Sequence, residues 1–121
     1  MMIAVELPLR IQSEANTRGA WQARFFGRTK PQRSATVLML RPKLGKRISF
    51  PVRVTLTRIA PRALDDDNLR TALKSVRDGV ADALGLKNDR DPRVAWDYQQ
   101  HRRAPNEYAV SIVIVNAEVS Q

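Results

Sequence analysis

The chain contains no cysteine and only one histidine, His101, among its 121 residues. The absence of cysteine excludes disulfides, thiolate metal sites and thiol nucleophiles, and a single histidine excludes a multi-histidine zinc site within one chain. No apolar run approaches the roughly 20 residues of a membrane-spanning helix. The N-terminal apolar segment contains Glu6 and lacks a basic lead, so it is unlike a signal peptide. These absences favour a soluble, cytoplasmic protein without a membrane partner.

Acidic residues are also missing from one long segment. Between Glu14 and Asp65 the chain has twelve Lys and Arg and no Asp or Glu, and its net charge is +9. A long basic surface suits a polyanion, because phosphate neutralisation supplies the sequence-independent part of nucleic-acid affinity. The alternative interpretation is a solvated basic face without a specific partner.

The alternation of apolar and polar residues predicts four strands, at residues 2–9, 48–59, 94–98 and 108–115, the last of them central. In the second, Val52, Val54 and Leu56 share the inward face. Two helices are predicted between the strands. With 43% hydrophobic residues, the chain fits one globular domain over residues 1–121. The order of elements predicts a mixed sheet with flanking helices, either α+β or α/β.

The first predicted helix begins at Pro31, a favourable first helical residue, and runs to about residue 40. It places Ala35, Leu38 and Met39 inward and Arg33 outward, whereas the state of residues 21–28 stays open. Pro42 and Gly45 mark a turn. The second helix carries an apolar stripe at helical spacing and ends at Gly85. The stripe consists of Leu69, Leu73, Val76, Val80 and Leu84.

Three consecutive aspartates, Asp65, Asp66 and Asp67, precede the second helix. At the end of an extended segment, the first and third can point the same way, whereas Asp66 suits an N-cap. Converging carboxylates repel each other unless a cation lies between them, and Mg²⁺ prefers oxygen ligands. The alternative is that one aspartate caps the helix and the others favour its positive N-terminus.

Asp89 and Asp91 lie in the turn after this helix. A continuous helix of about eighteen residues is about 27 Å long, so its two ends share a metal only if the turn folds back or the helix is broken. Gly79 is a candidate break. Lys74 lies on the side of Asp67, and an i,i+4 ion pair with Asp78 is its alternative role.

The segment from residue 64 to 94 resembles the RusA-type Holliday junction resolvases, which are common in phages and prophages. The resemblance rests on the sequences LDDDNLRTALKSVRDGVADALG and NDRDPRV, which match an Asp-x-Asp-Asn-Leu motif, an apolar helix and an Asp-containing turn. Leu7-Pro8 and Asn16 fit the family's N-terminal part. The chain departs from the family at Thr71, where an active-site lysine is usual, and the nearest lysine is Lys74. The family's last aspartate corresponds to either Asp89 or Asp91.

The resemblance implies a homodimeric α+β nuclease that uses Mg²⁺ or Mn²⁺ to cut branched DNA, such as a four-way junction, in recombination or repair. It implies that the metal ligands are Asp65, Asp67 and one of Asp89 and Asp91, and that these residues and Lys74 are catalytic. The basic segment would hold the junction's phosphates, and its first candidates are Arg18, Arg24, Arg28, Lys30 and Arg33.

Several interpretations stay open beside this one. Trp21, Phe25 and Phe26 either stack at the junction centre or lie in the core. His101, next to Arg102 and Arg103, belongs to a solvated hairpin or contacts phosphate. The alternative to an enzyme is a non-catalytic DNA- or RNA-binding protein of the same fold.

Overall fold

A computed structural model of the chain describes residues 1–12, 21–45 and 48–117, with the side chains of residues 21–30 outside that description. These residues form four strands and three helices. The strands are β1 (Met2–Leu7), β2 (Val52–Ala60), β3 (Val94–Arg102) and β4 (Ala109–Asn116), and the helices are α1 (Trp21–Leu44), α2 (Asp66–Ala72) and α3 (Lys74–Ala83). Among the described helices, none has the length and apolar character needed to cross a bilayer.

The four strands form one mixed sheet in the order β1-β4-β2-β3. Strand β4 is central and runs antiparallel to both β1 and β2, whereas β3 pairs in parallel with β2 at the edge. Helices α2 and α3 form the crossover that a parallel pair of strands requires. The predicted mixed sheet and central last strand are confirmed, and the fold is a small single-domain α+β fold.

The core lies on one face of this sheet. Val52, Val54 and Leu56 are fully buried, as the alternation predicted. Their register places Ile114 beside Val54 and Ile112 beside Leu56. The apolar stripe of α2 and α3 belongs to the same core. Burial of a large aliphatic side chain contributes about 1.5–3 kcal/mol, so this face supplies much of the driving force for folding.

Helix α1 differs from its prediction in extent and in orientation. It starts at Trp21 rather than Pro31, and it continues through Pro42 to Leu44. Leu38 and Met39, predicted inward, are 74% and 44% exposed. The buried positions are instead Thr36, Leu40 and Leu44, which repeat every four residues. The inward face of α1 is therefore set by the surface that it packs against, which buries two of its leucines and leaves Leu38 exposed.

The predicted long helix after the aspartates is two helices. The break falls at Leu73, which has φ −90° and ψ 2°, and not at Gly79. Gly79 lies where α3 meets α1, and a Cβ there would be 2.7 Å from Thr36 Cβ and 2.8 Å from the Arg33 carbonyl oxygen. Its missing side chain allows the two helices to approach closely. The prediction of one continuous helix of about eighteen residues is therefore wrong, because α2 and α3 are separated at Leu73.

Candidate functional site

The loop after α3 folds back toward the start of that helix. As a result, the Lys74 ammonium donates a hydrogen bond to Asp89 Oδ2 at 2.7 Å. It donates a second hydrogen bond to Asp78 Oδ1, one turn along the same helix, at 2.9 Å. The predicted i,i+4 pair with Asp78 is confirmed. The hydrogen bond to Asp89 also brings together Lys74, from the helix of the motif, and Asp89, from the turn that follows it.

Asp89 is held by its backbone as well as by its side chain. Its carboxylate is only 12% exposed, and Arg77 Nε lies 2.8 Å from Oδ2, although without the alignment of a hydrogen bond. The Asp89 carbonyl accepts hydrogen bonds from Arg77 Nη2 at 3.1 Å and from Trp96 Nε1 at 3.0 Å. Because both its backbone carbonyl and its carboxylate are held, Asp89 has a fixed position in the loop.

Burial raises the pKa of Asp89, but the hydrogen bond from Lys74 and the charges of Lys74 and Arg77 outweigh burial, and the pKa lies below its ordinary value. For Lys74, burial lowers the pKa, and the hydrogen bonds to Asp89 and Asp78 raise it above the ordinary value. Both groups are therefore charged at neutral pH.

These residues line an open cleft between the helices and the edge strand β3. One part, of about 410 Å³, is lined by Arg70, Thr71, Lys74, Arg77, Asp89 and Tyr98. An adjoining part, of about 510 Å³, is lined by Asp66, Leu69, Arg70, Trp96, Asp97, Tyr98 and Gln99. Arg70 and Tyr98 line both parts, so the part that contains the Lys74 cluster and the part at the start of α2 are neighbours.

The three aspartates lie at the N-terminus of α2, and all are exposed. Asp65 is the N-cap, since its side chain accepts a hydrogen bond from the Asn68 amide at 3.2 Å. The prediction that Asp66 caps the helix is therefore wrong, because the helix begins one residue earlier than expected. Asp66 and Asp67 occupy the first turn, where the helix dipole favours negative charge, and Asp66 lines the cleft.

Two polar side chains anchor the loop that carries these aspartates. Arg58, which is 6% exposed, donates to the Ile11 carbonyl at 2.9 Å and to the Arg62 carbonyl at 2.6 Å. The Gln100 amide pairs with both backbone groups of Leu64, at 2.8 Å and 2.7 Å. The approach to α2 is therefore fixed to strands β2 and β3.

Asp91 lies outside the cleft lining and forms a local pair with Arg93. Its carboxylate accepts hydrogen bonds from the Arg93 amide at 2.9 Å and from the Arg93 guanidinium at 2.8 Å. These hydrogen bonds lower the pKa of Asp91 to about 2. Of the two aspartates that the resemblance left open, the structure joins Asp89, and not Asp91, to Lys74.

The oxygen donors of the predicted metal ligands are of the type that Mg²⁺ prefers. Within the described residues, however, no three acidic or histidine side chains are gathered around one position that could hold a metal ion. Asp89 is instead neutralised by Lys74 and Arg77. A shared cation site at Asp65, Asp67 and Asp89 or Asp91 stays a prediction.

Four of the five predicted phosphate contacts fall outside the described side chains. Arg18 lies outside the described residues, and Arg24, Arg28 and Lys30 belong to the part of α1 whose side chains are not described, as do Trp21, Phe25 and Phe26. Arg33 is described, and it binds Asp82 through two hydrogen bonds, at 2.6 Å and 2.8 Å. His101 is exposed near the end of β3, which pairs with β2, so the predicted hairpin at this position is wrong.

Arg70, Arg77, Trp96 and Tyr98 also line the two parts of the cleft, although the sequence predicted no role for them. One signal was available, because Trp96 and Tyr98 continue the inward alternation of β3 that starts at Val94. Another was the i,i+3 spacing that places Arg77 beside Lys74 on a helix.

Comparison with protein-family models finds no match to this chain, and comparison with curated protein sequences finds none either. The geometry of the cleft and the motif at the start of α2 therefore carry the functional interpretation.

Proposed function

We propose that the protein is a metal-dependent endonuclease that cuts branched DNA, with Mg²⁺ or Mn²⁺ as the cofactor and the Lys74 cleft as its active site. One observation carries the proposal. Lys74 and Asp89, which the motif assigned to catalysis from positions fifteen residues apart, meet at 2.7 Å in a cleft whose neighbouring part is lined by Asp66 at the start of α2.

In this proposal, Asp65, Asp67 and Asp89 hold the metal ion. When bound, such an ion polarises the scissile phosphate and lowers the pKa of an attacking water. Asp89 is suited to this role because its pKa lies below the ordinary value. Asp89 would hold the metal through the carboxylate that now pairs with Lys74, and the Lys74 ammonium would then be available to a phosphate oxygen.

Lys74 stabilises the negative charge that develops on the phosphate, because a fixed donor in a cleft is worth more than one in bulk water. Its side chain is 54% exposed, so the ammonium is accessible to a substrate. Arg70 is exposed at the same cleft and supplies a second positive charge.

We further propose a cytoplasmic homodimer that takes part in DNA recombination or repair. A two-fold dimer places two equal sites on the two strands of a symmetric junction. Arg18, Arg24, Arg28, Lys30 and Arg33 neutralise its phosphates. Arg33 has to share its guanidinium with Asp82, so we expect its contribution to be the smallest of the five.

The direct test is to incubate the purified protein with a labelled four-way junction, in Mg²⁺ or in EDTA. We expect cleavage only with the metal. Asp67→Asn and Asp89→Asn should abolish cleavage and leave junction binding intact, because each removes a metal ligand without removing a phosphate contact. Asp91→Asn is the matched control, since this aspartate belongs to the same loop but pairs with Arg93, and it should cut at the parent rate. Parent-level cleavage by Asp89→Asn contradicts the site assignment.

A second candidate function is binding of DNA or RNA without cleavage. It is favoured by Thr71 at the position of the family's lysine and by the engagement of Lys74 with two carboxylates. The same experiment separates the two functions. A protein that binds the junction but does not cut it with Mg²⁺ or Mn²⁺ is a binding protein, and equal affinity for a double-stranded RNA shows that branched DNA is not its specific ligand.

A further inference from the structure

We propose that Arg77 is the positioning residue of this site and sets the location of Asp89 in the cleft. This inference depends on the proposed function at one point, namely that Asp89 takes part in cleavage. The sequence motif gives Arg77 no role. From its position on α3 next to Val76, the sequence predicts only an exposed surface residue. In the structure, its side chain is only 21% exposed.

The guanidinium of Arg77 contacts Asp89 at two places. Nη2 donates to the backbone carbonyl at 3.1 Å, and Nε lies 2.8 Å from the carboxylate oxygen Oδ2. A single side chain therefore fixes both the path of the loop and the direction of the carboxylate. Lys74, by contrast, reaches only the carboxylate.

Two aromatic residues of the edge strand fix the guanidinium in turn. Arg77 Nη1 donates to the Tyr98 hydroxyl at 2.6 Å, and the guanidinium lies 4.6 Å from the centre of the Trp96 ring. Trp96 also donates to the Asp89 carbonyl. Arg77, Trp96 and Asp89 are therefore joined pairwise, and the cleft wall that they form connects α3, the loop and β3.

This arrangement requires arginine and not merely a positive charge. A guanidinium is planar, stacks on aromatic rings and presents its donors in a fixed fork, whereas an ammonium is a point charge on a flexible stem. A lysine at this position can neutralise Asp89, but it cannot hold Tyr98, the Asp89 carbonyl and the carboxylate at once. The two cations on Asp89 thus have different roles: Arg77 is partly buried and places the carboxylate, and Lys74 is accessible and exchangeable.

The test compares Arg77→Met and Arg77→Lys with the parent. Arg93→Met is the matched control, because Arg93 also pairs with an aspartate of the loop and lies 4.5 Å from an aromatic ring, that of Phe50, away from the cleft lining. The first measurement is the Trp96 indole N–H resonance and its hydrogen exchange, identified by its persistence in Trp21→Phe. We expect both Arg77 variants to shift the resonance and to speed exchange at least about tenfold, and Arg93→Met to change neither.

The second measurement is junction cleavage. We expect kcat to fall by about 10- to 100-fold in both Arg77 variants, as for other residues that orient a ligand group, with KM changed by less than about threefold. Should Arg77→Met fail to fold, Tyr98→Phe removes one of the contacts and should shift the indole resonance in the same direction. An unchanged indole resonance in the folded variants, or full rescue by Arg77→Lys, overturns the proposal. If the parent protein does not cut, the proposed function fails, and the indole measurement alone decides the role of Arg77.

Discussion

At the scale of single residues, Lys74 combines two ion pairs with access to solvent. It neutralises two carboxylates, yet more than half of its side chain is exposed. We predict that Lys74→Ala slows junction cleavage at least about tenfold, or about 1.4 kcal/mol in the barrier. The free energy of unfolding should change by less than about 1 kcal/mol, because exposed ion pairs stabilise weakly. Single-turnover cleavage and urea unfolding measure the two effects.

Lys87→Ala is the control for the loss of one positive charge, since this lysine is exposed on the loop after α3, and it should cut at the parent rate. Thr71 also lines the cleft, so Thr71→Lys should restore activity to the Lys74→Ala protein. Parent-level activity in Lys74→Ala reduces this lysine to a structural partner of Asp78 and Asp89.

Arg58 is a buried cation whose partners are backbone carbonyls. Removal of its guanidinium leaves the carbonyls of Ile11 and Arg62 without their donor, and an unsatisfied buried group costs about 1–3 kcal/mol. We predict that Arg58→Met destabilises the fold by about 2–4 kcal/mol in urea unfolding. Arg53→Met is the control, because Arg53 lies on the same strand but forms an exposed pair with Asp97, and it should cost less than about 1 kcal/mol. Equal losses in the two variants contradict the role given to Arg58.

Three aspartates have lowered pKa values and make the stability depend on acid pH, namely Asp82, Asp89 and Asp91. The hydrogen bonds from Arg33 lower the pKa of Asp82; for Asp89, the effect of burial is outweighed by Lys74 and Arg77. A carboxyl with a lowered pKa in the folded state stabilises the fold fully above the ordinary value of about 3.9, and this contribution is lost as the pH falls below that value. We predict a falling free energy of unfolding between about pH 5 and pH 2. Asp82→Asn and Asp89→Asn should each flatten this dependence, and an unchanged slope contradicts the assignment.

At the scale of elements, the contact between α1 and α3 depends on Gly79. A Cβ at this position meets Thr36 Cβ and the Arg33 carbonyl oxygen at under 3 Å, and backbone atoms cannot move aside cheaply. Alanine favours a helix over glycine by about 1 kcal/mol, but overpacking typically costs about 1–3 kcal/mol. We therefore predict that Gly79→Ala lowers the free energy of unfolding in urea, despite its better helix propensity. A variant as stable as the parent shows that α1 moves away without loss.

The two-helix crossover also determines the site. Because α2 ends at Ala72 and Leu73 interrupts the helix, Lys74 is the first residue of a new helix. The loop after α3 returns to it with Asp89. The β3 strand that follows then supplies Trp96 and Tyr98 to the same cleft. Thus three consecutive elements meet at one place, although their residues are spread over more than twenty positions in the chain.

At the scale of the whole molecule, the charge is the dominant property. With a net charge of +9, we predict that junction affinity falls steeply with salt. Each neutralised phosphate contributes about −0.9 to the slope of log K against log salt concentration, so three or more contacts give a slope of about −3 or steeper. Fluorescence anisotropy over a series of NaCl concentrations measures this slope. A slope near zero removes nucleic acid as the main partner.

The sequence by itself determined those features that depend on neighbours along the chain. The alternation of Val52, Val54 and Leu56 identified a buried strand face, because side chains of a strand alternate between its two faces. The aspartates followed by an apolar stripe marked the start of a helix, since carboxylates cap and stabilise helix N-termini. The composition and order of elements indicated one mixed-sheet domain.

Only the tertiary structure decided what depends on distant parts of the chain. Helix α1 buries Thr36, Leu40 and Leu44 and not Leu38 and Met39. Local apolarity does not distinguish these leucines, because the choice depends on the surface against which α1 packs, including Gly79 of α3. The choice of Asp89 over Asp91 as the partner of Lys74 follows from the fold-back of a loop. The periodicity of the sequence does not predict this loop conformation. The loop is held by contacts of Asp89 with helix α3, which precedes it in sequence, and with strand β3, which follows it.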